Sequence, residues 1–253
     1  MCTLTWWNHA EEGYDVFFNR DERKTRLAAL PPSVHHAGHG LSYVAATDAN
    51  AGGTWLLANA AGLTLAILNY YEKEVSEESP GRFRSRGLLM TDLAACSTLE
   101  EVDRALQELD LAVYRAFTLM AFSADPQFRA WYWQYDGLAM EGPDSNPQIP
   151  VCSSSFLTEE VVLERQSLLK EMLAASSAGG SEVLNAYHHD DNDGHPTAHT
   201  VKMNREEAQT WSISHISVGK DSIQFAYESL PSDHIGESEF ANATLPRGKA
   251  NSE

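Results

Sequence analysis

The residues of this chain best suited to chemistry are a cysteine directly behind the initiator methionine, Cys2, and the charged run Asn19-Arg20-Asp21-Glu22. Methionine before a small residue is ordinarily trimmed. Trimming would place a thiol and an α-amine together on Cys2. An α-amine titrates near about 7.7–8.0, so at neutral pH a useful fraction can accept a proton. A thiol with a base this close is an activated nucleophile without a separate histidine. Asp21 is suited to hold the ammonium by a charge-assisted hydrogen bond, and Arg20 to stabilise the thiolate. Alone, Cys2 is a small residue and the charged run a solvated turn. Together they propose a site.

A hairpin would bring them together. Cys2 to His9 alternates loosely and is rich in Thr and Trp, as strands are. Glu11-Glu12-Gly13 signals a turn and Tyr14 to Phe18 a returning strand. Centring the hairpin between Glu11 and Glu12 sets Cys2 opposite Asp21 on one face, and a bulge would shift this by one residue.

Downstream, Arg23 to Gly40 reads as irregular and Leu41 to Ala46 as a short strand. Gly52-Gly53 opens a second hairpin, Thr54 to Ala58 and Leu63 to Asn69. Its second arm is apolar enough to be buried on both faces. Glu72 to Ser85 is a charged loop. Arg86 to Ala95 has helical spacing, and Ser97-Thr98-Leu99-Glu100-Glu101 is a capping box for a helix to Leu109. Phe117 to Ser123 and Phe128 to Tyr135 form strands around a turn at Ala124-Asp125-Pro126, and Ile149 to Ser153 another. Thr158 caps an amphipathic helix to Ala175, and a short helix ends near Tyr187. Thr200 to Met203, Thr210 to Val218 and Ser222 to Tyr227 read as closing strands. Helices grouped between sets of strands predict the α+β class, with helices packed on antiparallel sheets. Residues 1–230 form one domain on this reading, and 231–253 a polar, frayed tail.

The chain has 253 residues, 43% of them hydrophobic, enough for a substantial core. A formal charge of -18 disfavours nucleic-acid and anionic-membrane partners. Three cysteines are no disulfide framework. No signal-peptide pattern or long apolar run is present, which makes the cytoplasm the expected compartment.

Met-Cys-Thr at the start, Asn19-Arg20-Asp21-Glu22, Gly52-Gly53-Thr54-Trp55 and Leu68-Asn69-Tyr70 resemble the NRDE family, also called the transport and Golgi organisation 2 family. Ser85-Arg86-Gly87-Leu88-Leu89, Ser153-Ser154-Ser155-Phe156 and Met203-Asn204-Arg205-Glu206-Glu207-Ala208-Gln209-Thr210 extend the likeness in order. That family is similar to N-terminal-nucleophile hydrolases of the choloylglycine hydrolase and penicillin V acylase type. The resemblance implies a four-layer αββα sandwich with antiparallel sheets, and hydrolysis of linear amides or acyl conjugates through Cys2. It implies catalytic roles for Cys2, Arg20 and Asp21, with Asn59 as oxyanion donor and Asn69 as a second candidate. Asn19, Trp55, Arg86, Ser154 and Arg205 are the expected binding residues. The hydrolases separate their Arg and Asp by two residues, whereas Arg20 and Asp21 are adjacent, so Arg20 need not point into the site. Ser154 stands where the hydrolases carry a further Asn.

The expected partner is a small-molecule amide or acyl substrate, with no metal or cofactor. His188 to His195 invites a metal reading, but His189 and Thr200 fall where an EF-hand needs Asp and Glu. The resemblance offers an alternative class, a non-catalytic haem- or acyl-lipid-binding protein on the same fold, without a haem-attachment motif in the chain.

Overall fold

A computed structural model describes residues 2–71, 83–124, 126–155 and 157–248. Most of the expected loop at Glu72 to Ser85, together with Asp125 and Phe156, lies outside the described residues.

The first sheet holds β1 (Cys2–Asn8), β2 (Tyr14–Arg23), β10 (Val151–Ser153), β11 (Ala208–Val218), β12 (Ser222–Ser229) and β13 (Glu239–Pro246), in the order β10-β1-β2-β11-β12-β13. The second runs in chain order: β3 (Leu30–His36), β4 (Ser42–Thr47), β5 (Leu56–Asn59), β6 (Thr64–Asn69), β7 (Phe117–Ser123), β8 (Arg129–Tyr135) and β9 (Met140–Asp144). All described pairings are antiparallel. Two helices, α3 (Thr158–Ala175) and α4 (Gly180–His188), pack on the first sheet; α1 (Arg86–Leu93) and α2 (Leu99–Glu108) pack on the second. The apolar core between the sheets includes Leu4, Phe18, Leu65, Leu119 and Phe225. The result is the αββα sandwich.

The elements follow their sequences. In α2, Thr98 Oγ1 accepts from the Glu101 amide at 3.1 Å, and Glu101 Oε2 from the Ser97 amide at 2.6 Å. Central β6 is buried along all but its last residue, as its unbroken apolar run predicts.

Three expectations are corrected. The Arg23–Gly40 stretch contains β3, an edge strand whose Pro31-Pro32 would be excluded from a sheet interior. Thr200 to Met203 is not a strand; its backbone turns beneath the first sheet to meet Arg165 and Asn19. The supposed tail contains β13, which pairs along β12 and buries Leu245 to 4% exposure.

Candidate active site

Register decides which residues can meet. The connection between β1 and β2 spans His9 to Gly13, closed by the His9 amide donating to the Gly13 carbonyl at 2.9 Å. Gly13 sits at φ 124, a conformation open chiefly to glycine. The hairpin is therefore centred on Glu11, and Cys2 pairs with Arg20 rather than Asp21. One residue of slip reverses the faces. Arg20 joins Cys2 between the sheets, while the side chains of Asn19 and Asp21 turn toward the helices.

The cavity beside Cys2 has a volume of about 150 Å³. Arg20, Asp21, Asp48, Trp55, Asn69 and Arg86 are among its lining residues, and Glu22 and Arg26 also reach it. Arg20 is 5% exposed; its Nη2 donates to Asp48 Oδ2 at 2.7 Å and its guanidinium lies 4.7 Å from the Trp55 ring centroid. Arg26 donates to the same carboxylate at 2.6 Å. Burial pushes the Asp48 carboxyl up, but Arg26 and Arg20 outweigh it and hold the carboxyl below its ordinary range.

Glycines set the wall opposite Cys2. A Cβ on Gly53 would fall 2.2 Å from the Gly87 carbonyl carbon, so only glycine lets the approach to β5 run against the start of α1. The Thr54 amide donates to the Gly87 carbonyl there at 3.1 Å. This contact brings Trp55 and Arg86 to one cavity, and Arg86 is further held by donating to the Ala116 carbonyl at 2.7 Å.

The Cys2 thiol is pushed up to about 11, chiefly by burial. A hydrogen bond from the Asp21 backbone acts in the other direction. An attacking thiolate therefore requires a base at hand.

Asp21 reaches the cavity but its carboxylate is anchored behind β1. Thr210 Oγ1 donates to Oδ1 at 2.6 Å, and Arg165 Nη1 lies 3.8 Å from Oδ2. Arg165, 1% exposed on α3, also donates to Thr3 Oγ1 at 2.5 Å and to the Thr200 carbonyl at 2.6 Å. A bulge in β11 between Thr210 and Ser212 falls beside Arg20 and Asp21.

Other expected residues lie elsewhere. Asn59 is fully buried, with its amide donating to the carbonyls of Ala94 at 3.0 Å and Cys96 at 2.6 Å. It ties β5 to the end of α1 and does not line the Cys2 cavity. Asn19 donates to the carbonyls of His188 and Val201 at 2.8 and 3.0 Å and is equally outside it. Ser154 follows the residue paired with Cys2, and its carbonyl accepts from Thr158 Oγ1 at 2.7 Å. Arg205 donates to Ser155 Oγ at 3.2 Å and lines a separate cavity of about 570 Å³ that shares Glu22 with the first. Asn69 does line the Cys2 cavity, its amide donating to Tyr71 Oη at 2.6 Å.

Asp48, Arg26 and Arg165 were missed from sequence. Arg165 carried a signal: it falls on the same helical face as Val161 and Leu169, where a lone arginine needs a buried partner. Asp48 carried none.

This arrangement is the fold of the N-terminal-nucleophile hydrolases. A mutant conjugated bile acid hydrolase from Clostridium perfringens superimposes with a TM-score of 0.57 at 12% identity, covering 97% of this chain and 96% of that one. A second variant of that hydrolase gives 0.52 at 12% identity, with 98% of each chain covered. The chain belongs to the transport and Golgi organisation 2 family, whose model matches residues 1–227. No curated protein matches it in sequence. Among the described residues, no helix is long and apolar enough to cross a membrane, and no cluster of three or more His, Cys, Asp or Glu is arranged to hold a metal ion.

Proposed function

We propose that the chain is an N-terminal-cysteine amidohydrolase acting on linear amides or acyl conjugates. The observation that carries this reading is Cys2 paired with Arg20 on one face of a hairpin, both lining one cavity. With Met1 removed, the Cys2 α-amine is the base its buried thiol needs. The amine takes the thiol proton as sulfur attacks the carbonyl, then returns it to the leaving amine as the C–N bond breaks. Water hydrolyses the resulting thioester and restores the thiol. The Arg20 charge favours thiolate, as does the hydrogen bond from the Asp21 backbone.

Cavity size narrows the substrate. An engineered cavity of about 150 Å³ accepts benzene, so the group against Cys2 is small. The adjoining cavity, lined by Arg23, Lys24, Arg205, Glu206 and Glu207, suits a polar remainder.

Intact mass of the purified protein tests the first step and is expected to show Met1 absent. Acyl electrophiles should then label Cys2, and Cys2→Ala should abolish the label. Retained Met1, or a label mapping to Cys96 or Cys152, would sink the reading.

A further inference from the structure

We propose that the indole N–H of Trp55, together with Nη1 of Arg20, forms the oxyanion site, the role that the family resemblance assigned to Asn59. The inference rests on the Cys2 reading above. Buried polar atoms are nearly always hydrogen-bonded, and an orphan donor marks a place where an acceptor is missing. Trp55 is 7% exposed and its Nε1 has no hydrogen-bond partner among the described residues. Arg20 is 5% exposed; Asp48 engages its Nη2, while its Nη1 is likewise without a partner. Both residues line the Cys2 cavity, and stacking of the guanidinium 4.7 Å from the indole centroid locks one donor against the other.

Two fixed, desolvated donors beside a thiol are what a developing negative charge on oxygen needs. When Cys2 sulfur bonds to the carbonyl carbon, the C=O π pair moves onto oxygen, and Nε1–H and Nη1–H receive it. When the intermediate collapses, the pair returns, the C–N bond breaks, and the leaving amine departs with the proton first taken from the thiol. A resident carboxylate fits less well. Arg20 and Arg26 are already engaged by the Asp48 carboxylate, and Glu22 adds a further negative charge to the cavity wall. Asn59 cannot serve, because its amide is committed to the Ala94 and Cys96 carbonyls.

Two reactions of the same thiol separate this role from a structural one. Acylation of Cys2 by p-nitrophenyl acetate passes through an oxyanion, whereas alkylation by iodoacetamide does not. Trp55→Phe keeps a ring beneath Arg20 and removes the N–H. We expect it to slow acylation by about 10²–10³ while alkylation keeps its wild-type rate. If both rates fall together, or neither falls, the assignment is overturned. A saturable shift of the Trp55 indole ¹⁵N–H resonance on adding acetate to Cys2→Ala would also overturn it, marking a ground-state carboxylate site instead. Wild-type protein whose Cys2 is alkylated but never acylated would remove the hydrolase reading itself, a result separate from failure of the Trp55 arm.

Discussion

Arg20 is held from two sides: Asp48 takes one arm by a 2.7 Å hydrogen bond, and the Trp55 ring supports the guanidinium plane. Removing one partner of a buried pair costs more than the pair itself contributes, because the remaining charge stays desolvated. Asp48→Ala is therefore expected to lower stability by about 3 kcal/mol in urea unfolding. The same pair sets an acid limit. The folded Asp48 carboxyl is depressed, so its contribution is complete above the unfolded value near ~3.9 and lost as pH falls through the folded value. Unfolding measured from pH 6 downward should show this loss in the wild type, and Asp48→Asn should lack its share of it. At this scale the sequence singled out Cys2, Arg20 and Asp21, which all line the cavity. It did not single out Asp48, an aspartate in a turn like many others until Arg20 and Arg26 close on it.

Two elements make the cavity, the β1–β2 hairpin and the contact between the approach to β5 and α1. The hairpin was legible, but its register was not. A turn one residue different in centre moves Cys2 from Asp21 to Arg20 and exchanges their faces. The second contact depends on two glycines passing without side chains. Gly53→Ala would put a methyl 2.5 Å from the Gly87 carbonyl oxygen, against backbone that cannot rotate away. We expect a loss of about 1–3 kcal/mol in thermal unfolding, and slower acylation of Cys2 as Trp55 and Arg86 separate. Unchanged stability and acylation would mean that this contact does not set the cavity.

Across the whole molecule, the sandwich places the site between its sheets and the anchors of the site in its helices. Arg165 reaches from α3 through the first sheet's outer face to Thr3 and Asp21, so the helix layer holds the strand that carries Cys2. At the far edge, β13 covers β12 and contacts β3 and β4 of the other sheet. Deleting residues from 231 onward, on the view that they form a tail, would expose the β12 edge and uncover core around Leu245. Such a truncation should lose about 3 kcal/mol or more and gain concentration-dependent association, read by unfolding and light scattering. A truncated chain as stable and monomeric as the parent would show β13 to be dispensable.

The sequence by itself determined the αββα architecture, the central apolar strand β6, the capped helix α2 and the pairing of a cysteine with a charged run. Each is written in local periodicity, capping chemistry or an ordered set of short matches. Tertiary structure alone decided that Arg20, and not Asp21, faces Cys2, and that Asn59 ties down α1. It also left a buried donor on Trp55 and another on Arg20, two residues of the cavity wall, without a partner among the described residues. The reason is physical: the direction of a side chain depends on register, and the use of a donor depends on which carbonyls distant segments bring to it. No spacing along the chain records either.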